Sequence, residues 1–357
     1  MGRVVPHKPG LRALQLIRGG SYTVTLPKWW VDKYDVEKGA RLFTLEDGYS
    51  LRLSFKDSPK IKKTVEISMD RFDDMRSVRY CLLTYYMQGA YTTVVKSSHP
   101  MSSDRKKKLR EVRLEMPGME IVHEDSNKVV YSMIADVVKE KIDDVVQTIH
   151  DIALYTHKDS IRALMENNLR LALEVTSREP DMLRIYRKLI RHLSLSSMNP
   201  EIAYQCGIRD SNELIMYVLL SRDLHRIFYH ALYISRNLIR FGRRITVLDL
   251  VQQITSLSEM VQFMQQLAIE AFIDRDFHSV LRVSNLIQDV KSYEERLSFD
   301  IIHSVKDIEQ AMTLLFILRD IRRIAGYSVA IADAAANRIL NPLRAQPAAT
   351  VLSLESI

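Results

Sequence analysis

Two cysteines, Cys81 and Cys206, are all that the 357 residues contain, and neither lies in a metal-type or redox-type spacing. That excludes a disulfide scaffold and fits a reducing compartment. Long apolar runs are also missing. The longest, "LIMYVLL" at 214–220, stops at Ser221 and Arg222, far short of the roughly 20 residues that span a bilayer. The opening "MGRVVPHKPG" lacks the apolar core of a secretory signal. The expectation is a cytoplasmic chain without membrane insertion. Catalytic signatures are absent as well: there is no nucleophile elbow, no H-E-x-x-H, no Cys-His signature and no Gly-rich dinucleotide loop after a strand. An enzyme is not expected.

Negative charge is missing at the start of the chain. No carboxylate precedes Asp32, whereas Arg3, Lys8, Arg12, Arg18 and Lys28 all do. Residues 1–60 carry a net charge of +5, residues 61–130 a net +3 and the remainder a net −1, within a total of +7. The positive excess therefore belongs to the N-terminal third, where it would suit a phosphate backbone or simply form a solvated face.

The stretch "RGGSYTVTLPKWW" (18–30) invites a phosphate-loop reading, but its glycines precede a strand and no lysine follows until Lys28. A tight turn between strands, with glycine supplying positive φ, is the better account. Tyr22, Val24 and Leu26 alternate with polar residues as in a half-buried strand. Pro27 opens a short helix, "KWWVDKY". "RLFTLEDGYSLRL" reads as a hairpin around Asp47-Gly48. Trp30 is expected in the core, and Trp29 is left open between core and base stacking. A unit this small cannot bury an adequate core alone and has open strand edges, so pairing with a second copy is expected.

Residues 58–135 alternate strand and helix as a small α/β module. In it, the basic run "DRKKKLRE" (104–111) reads as a solvated helix face. From 136 to 340 the apolar period is helical. "RDSNELIMYVLLSRDLHRI" (209–227) aligns without gaps on "KDIEQAMTLLFILRDIRRI" (306–324), an offset of 97. Upstream, "EPDMLRIYRKL" (179–189) matches "IQDVKSYEERL" (287–297) at an offset of 108. Two three-helix units are expected, at 136–245 and 246–340, followed by a loose tail at 341–357.

Two resemblances carry further expectations. "GGSYTVTLPKWWVDKYDVEKGARLFTLEDGYSLRL" resembles the swapped-hairpin domain of the SpoVT/AbrB type. This implies a β-barrel over 1–57 completed by a second chain, and binding of double-stranded DNA through Arg3, Lys8, Arg12, Arg18 and Lys28. "RDLHRIFYHALYISR" (222–236) and "RDIRRIAGYSVAIAD" (319–333) resemble the PhoU signature. The whole chain is thus similar to archaeal PhoU-type phosphate uptake regulators. The implied fold class is an α+β N-terminal region, a swapped-hairpin β-barrel plus a small α/β module, followed by an all-α tandem of three-helix bundles. The implied function is a homodimeric, DNA-binding regulator of phosphate uptake. The alternative is an adaptor that acts on a phosphate transporter ATPase or a sensor kinase, with the barrel used only to dimerise.

The PhoU resemblance implies a metal cluster held by a Glu and an Asp four residues apart. Those positions hold His225 and Tyr229 in the first copy and Arg322 and Gly326 in the second. Histidine can ligate, but guanidinium and glycine cannot. A polar helix face is therefore expected rather than a metal site, and no cofactor. The repeated Arg222, Asp223, Arg226 and Arg319, Asp320, Arg323 are expected to form ion pairs within the bundle, the alternative being an anion or partner protein.

Overall fold

The computed structural model describes residues 10–55, 63–134 and 140–341. The N-terminal unit begins with strands β1 (Gln15–Leu16) and β2 (Tyr22–Thr23), an antiparallel ladder of two pairs. They turn at Gly19 and Gly20, whose φ values of +113° and +90° only glycine adopts readily. Helix α1 (Lys28–Lys33) follows with Pro27 as its N-cap. Strands β3 (Leu42–Asp47) and β4 (Ser50–Phe55) pair over six positions around Gly48 and Tyr49. The two hairpins form separate sheets within one chain, whereas the barrel expected from the sequence is one that a second chain completes. The unit has no core of its own: no residue from 10 to 55 is buried. Trp30, expected in a core, is only half-buried and stacks on Phe55 with ring centroids 4.6 Å apart. Leu14, Leu16, Tyr22 and Trp29 are exposed.

The α/β module holds β5 (Thr64–Ser68), α2 (Met75–Met87), β6 (Thr92–Lys96), α3 (Ser103–Arg113), β7 (Met119–Glu124) and β8 (Lys128–Met133). Its sheet runs β5-β6-β8-β7, with β5 parallel to β6 and the other pairs antiparallel. Asp74 and Ser102 cap α2 and α3 by accepting backbone N–H groups, as such residues do at helix starts. Leu82, Tyr86, Val95, Leu109 and Tyr131 form its core.

The rest is helical: α4 (Ile142–Met165), α5 (Leu169–Thr176), α6 (Glu179–Met198), α7 (Pro200–Gln205), α8 (Ser211–Phe241), α9 (Leu248–Asp274), α10 (Phe277–Ser304) and α11 (Ile308–Ile339). The second copy has the three helices expected. The first has five, because Asn168, Pro180 and Pro200 each start a new helix within it. Proline lacks the N–H that a continuing helix would use. None of these helices is long and apolar enough to cross a membrane.

One apolar core joins both copies, and a buried ion network crosses it. Arg338 of α11, nearly inaccessible, donates through Nε to Glu213 Oε1 (2.8 Å), through Nη1 to the Phe272 carbonyl (2.6 Å) and through Nη2 to the Tyr217 hydroxyl (2.8 Å). Tyr217 in turn donates to Asp143 Oδ1 of α4 (2.6 Å), and Arg275 reaches Glu213 at 2.7 Å. The α/β module docks on α6 in a similar way. Arg191, buried, donates to the Tyr86 and Ala90 carbonyls at the end of α2 (2.7 and 3.0 Å), and Arg187 pairs with Glu115 (3.0 Å). Gly89 sits in this joint with φ +83°, where an added Cβ would lie 2.7 Å from Leu195.

Removing one partner from a buried charge pair leaves the other uncompensated, typically at a cost of about 3–5 kcal/mol. Arg338→Met is therefore expected to destabilise the helical region by about 3–5 kcal/mol, read from urea unfolding followed by far-UV circular dichroism. An unchanged midpoint would show that the network contributes nothing net.

Candidate functional site

The two long helices that carry the repeated sequence, α8 and α11, start alike. Asp210 accepts from Glu213 N–H, and Asp307 from Glu309 and Gln310 N–H. This capping explains the Asp210/Asp307 identity. The helices then pack against each other, and at their contact both repeats bury a carboxylate: Asp223 is 1% exposed and Asp320 fully buried. Each pairs with the exposed arginine before it, Arg222 at 3.0 Å and Arg319 at 3.1 Å. Arg226 and Arg323 are exposed.

The likeness ends there. Asp320 also meets His230 Nδ1 (3.0 Å) and accepts from Asn237 Nδ2 (3.1 Å) across the contact. The repeat offset maps those two residues onto Tyr327 and Ala334, which cannot serve Asp223 in the same way. Burial accordingly pushes the Asp223 carboxyl above its ordinary value, against the opposing pull of Arg222.

The positions implied for a metal cluster hold an aromatic stack instead. His225 lies face to face with Tyr186 of α6 (4.1 Å) and edge-on to Tyr229 (4.9 Å). Burial pushes the His225 imidazole down to about 4, helped by Arg226 and Arg187. The Tyr229 hydroxyl donates to Glu179 Oε1 (2.9 Å), whose other oxygen takes Arg236 (2.5 Å). In the second copy Arg322 lies alongside Gly326. Among the described residues no group of three or more His, Cys, Asp or Glu is placed to hold a metal ion.

A second feature was not anticipated from the sequence. The N-terminal hairpin sits on the start of α8. Asp47 accepts from Ser211 N–H (2.9 Å) and from its hydroxyl, Arg52 donates to the Ser197 carbonyl (3.0 Å), and Phe43 packs on Tyr204 (5.8 Å). Tyr204 belongs to α7, which lies where the repeat offset changes from 108 to 97. The eleven extra residues fall in the first copy alone, between 189 and 209, the stretch that supplies Ser197 and Tyr204 to the seat. The change in offset was the available sequence signal.

Arg12, Arg18 and Lys28 lie exposed in the N-terminal unit, and no carboxylate among the described residues pairs with them. Arg3 and Lys8 lie outside the described residues. Two cations of the basic run of α3 pair with carboxylates, Lys108 with Asp104 (2.8 Å) and Arg110 with Glu124 (2.6 Å), and beyond the run Arg113 pairs with Glu120 (2.7 Å). These last two pairs line an open groove of about 460 Å³ between α3 and β7.

The family model for the PhoU domain matches residues 146–238 and 254–335. The helical region therefore carries two segments that match the PhoU domain, one in each copy. Among solved structures, PhoU from Pseudomonas aeruginosa is 18% identical with a TM-score of 0.47, over 55% of this chain and 94% of that one. The phosphate transport system regulatory protein PhoU from Streptococcus pneumoniae is 15% identical with a TM-score of 0.48, over 57% and 96%. No curated protein matches the chain.

Two outcomes are expected. Both tryptophans of the chain lie in α1, tied to β4 through Phe55. Tryptophan anisotropy decay of a Tyr204→Ala/Ser211→Ala variant should gain a fast component that the parent lacks, with unchanged circular dichroism. A decay identical to the parent's would mean that the seat does not hold the hairpin. The second outcome concerns Asp223. A carboxyl whose pKa is raised by folding is penalised as the anion, so the penalty is present above the raised value and fades as pH falls through it. Asp223→Asn should therefore unfold at higher denaturant than the parent at neutral pH, and this advantage should shrink in acid. The lost pair with exposed Arg222 contributes little against this.

Proposed function

We propose that the chain is a regulator of phosphate transport that works as an adaptor. Its tandem PhoU domains dock on a protein partner, the ATPase of a phosphate transporter or a sensor kinase, and its N-terminal unit pairs two copies. The observation that carries this reading is the match of residues 146–238 and 254–335 to the PhoU domain. The pairing of copies is supported by an N-terminal unit with no buried residue and with Leu14, Leu16 and Tyr22 exposed beside open strand edges. In this scheme a partner on the bundle is felt at the start of α8, where the hairpin is seated.

A second reading, a DNA-binding regulator, is favoured by Arg12, Arg18 and Lys28, which stand exposed without carboxylate partners among the described residues on a unit resembling swapped-hairpin domains. Pairing two copies would double these cations into one surface suited to a duplex. In this reading the same seat links the bundle to the spacing of the two basic hairpins. The genes controlled need not concern phosphate.

One experiment separates the two. Purified full-length chain and an Arg12→Ala/Arg18→Ala variant are titrated against the transporter ATPase and sensor kinase of the same organism. Both are also titrated against labelled duplex from the phosphate-transporter promoter, with a scrambled duplex as control. The adaptor reading expects saturable binding to one of the proteins that the double variant retains. It is overturned by no protein binding together with DNA binding that the variant loses. Such DNA binding would also fall by about 10³ or more between 50 and 200 mM salt if six or more phosphates were neutralised.

A further inference from the structure

The helical core contains a polar seam that neither reading above uses. Helix α4 presents His150 and His157 on one face, two turns apart, and α9 presents Ser258, Gln262 and Gln265. His150 is 4% exposed, and His157, Ser258 and Gln265 are fully buried. His157 Nε2 lies 2.9 Å from Ser258 Oγ, and Gln262 donates to the same oxygen at 3.0 Å.

The course of the helices brings more polar atoms to this place. α4 runs alongside α8 in the same direction, since Asp143 meets Tyr217 and Ser160 meets Ser235. α9 starts just after the end of α8, near Ile245, which is held by Asn167 at the end of α4. α9 therefore returns antiparallel to α4. With Ser258 opposite His157, Gln265 two turns further on stands level with His150. Burial pushes the His157 imidazole down to about 4, against the opposing pull of the nearby Gln265 amide, although no hydrogen bond within 3.5 Å joins the two side chains. Burial likewise pushes His150 down to about 4, so both rings are neutral at ordinary pH.

Four buried atoms in this seam have no hydrogen-bond partner: His150 Nδ1, His157 Nδ1, and Gln265 Nε2 and Oε1. Buried polar atoms are satisfied in the great majority of folded proteins, by protein groups or by water, because an unmade bond leaves the full cost of desolvation. The chemistry of the four selects what satisfies them. Two neutral imidazoles and an amide carry no positive charge, so they do not suit phosphate or another anion. An apolar ligand would leave all four unpaired. Water donates and accepts, and buried waters typically make two to four such bonds.

We propose that the α4–α9 seam is a buried hydration site, in which ordered water bridges Gln265 to the free nitrogens of His150 and His157. The site joins the first helix of one repeat to the first helix of the other, so the two repeats share water as well as apolar contact.

The test uses the full chain. A high-resolution crystal structure is expected to show ordered water within hydrogen-bond distance of the Gln265 amide and of at least one of the two histidines. Gln265→Met keeps the side-chain volume and removes the water's amide partners. It strands the histidine nitrogens, so the melting temperature should fall by a few degrees. A dry seam in the crystal overturns the proposal. So does a Gln265→Met variant that melts above the parent, because relieving an unpaired amide in a dry core is stabilising. If the variant fails to fold, the crystal structure of the parent decides alone.

Discussion

The guanidinium of Arg338 is the point on which the helical assembly depends. Its three nitrogens serve three acceptors on two other helices: a carboxylate and a hydroxyl on α8 and a main-chain carbonyl at the end of α9. Through Tyr217 it also reaches α4. A planar, permanently charged fork with five N–H donors can serve three separated acceptors at once. Its rings of contact, Tyr217 and Phe272, lie within 5 Å of the guanidinium carbon, so charge and apolar packing are satisfied in the same place. Four helices from two homologous units are thereby held in one arrangement, because any slippage between them would strand a charge in the core.

Outward from that knot, the remaining parts attach along one line. The α/β module is fixed to α6 by Arg191 at the end of α2, and the N-terminal hairpin rests on α7 and the start of α8. These three helices are consecutive in the first copy. The second copy supports neither attachment. The module contact is buried, whereas the hairpin contact is a single aromatic pair with a few exposed hydrogen bonds. The two attachments thus differ in strength, and the lighter one carries the unit with the exposed cations.

Much of this was legible in the sequence, and the reasons are local. Periodicity gave the helices of the second copy, and gapless alignment found α8 and α11, whose shared aspartates proved to be caps and buried anchors. The mixed sheet of the module could be read from short alternating runs and turn residues. The five-helix form of the first copy was missed although Pro180 and Pro200 were visible, because the change of offset from 108 to 97 was not read as an insertion. The two hairpins were legible as alternating runs around glycine turns, but the barrel read from them needs a second chain to complete it, and within one chain they remain separate sheets. Arg338 and Glu213 could not be picked out, since they lie 125 residues apart in chain number and look like ordinary surface charges until the fold brings them together. The stacking of His225 on Tyr186 was not legible either, since it depends on a helix that no spacing rule connects to the repeated signature.

The extra eleven residues of the first copy have one further consequence. Duplication produces two equivalent units, and a body built from them would look the same from either end. Filling a seat on one unit only removes that equivalence. The protein acquires a head and a tail, so anything that recognises the bundle can distinguish the end that bears the hairpin from the end that does not. Orientation is thus written into the chain in part by a short insertion.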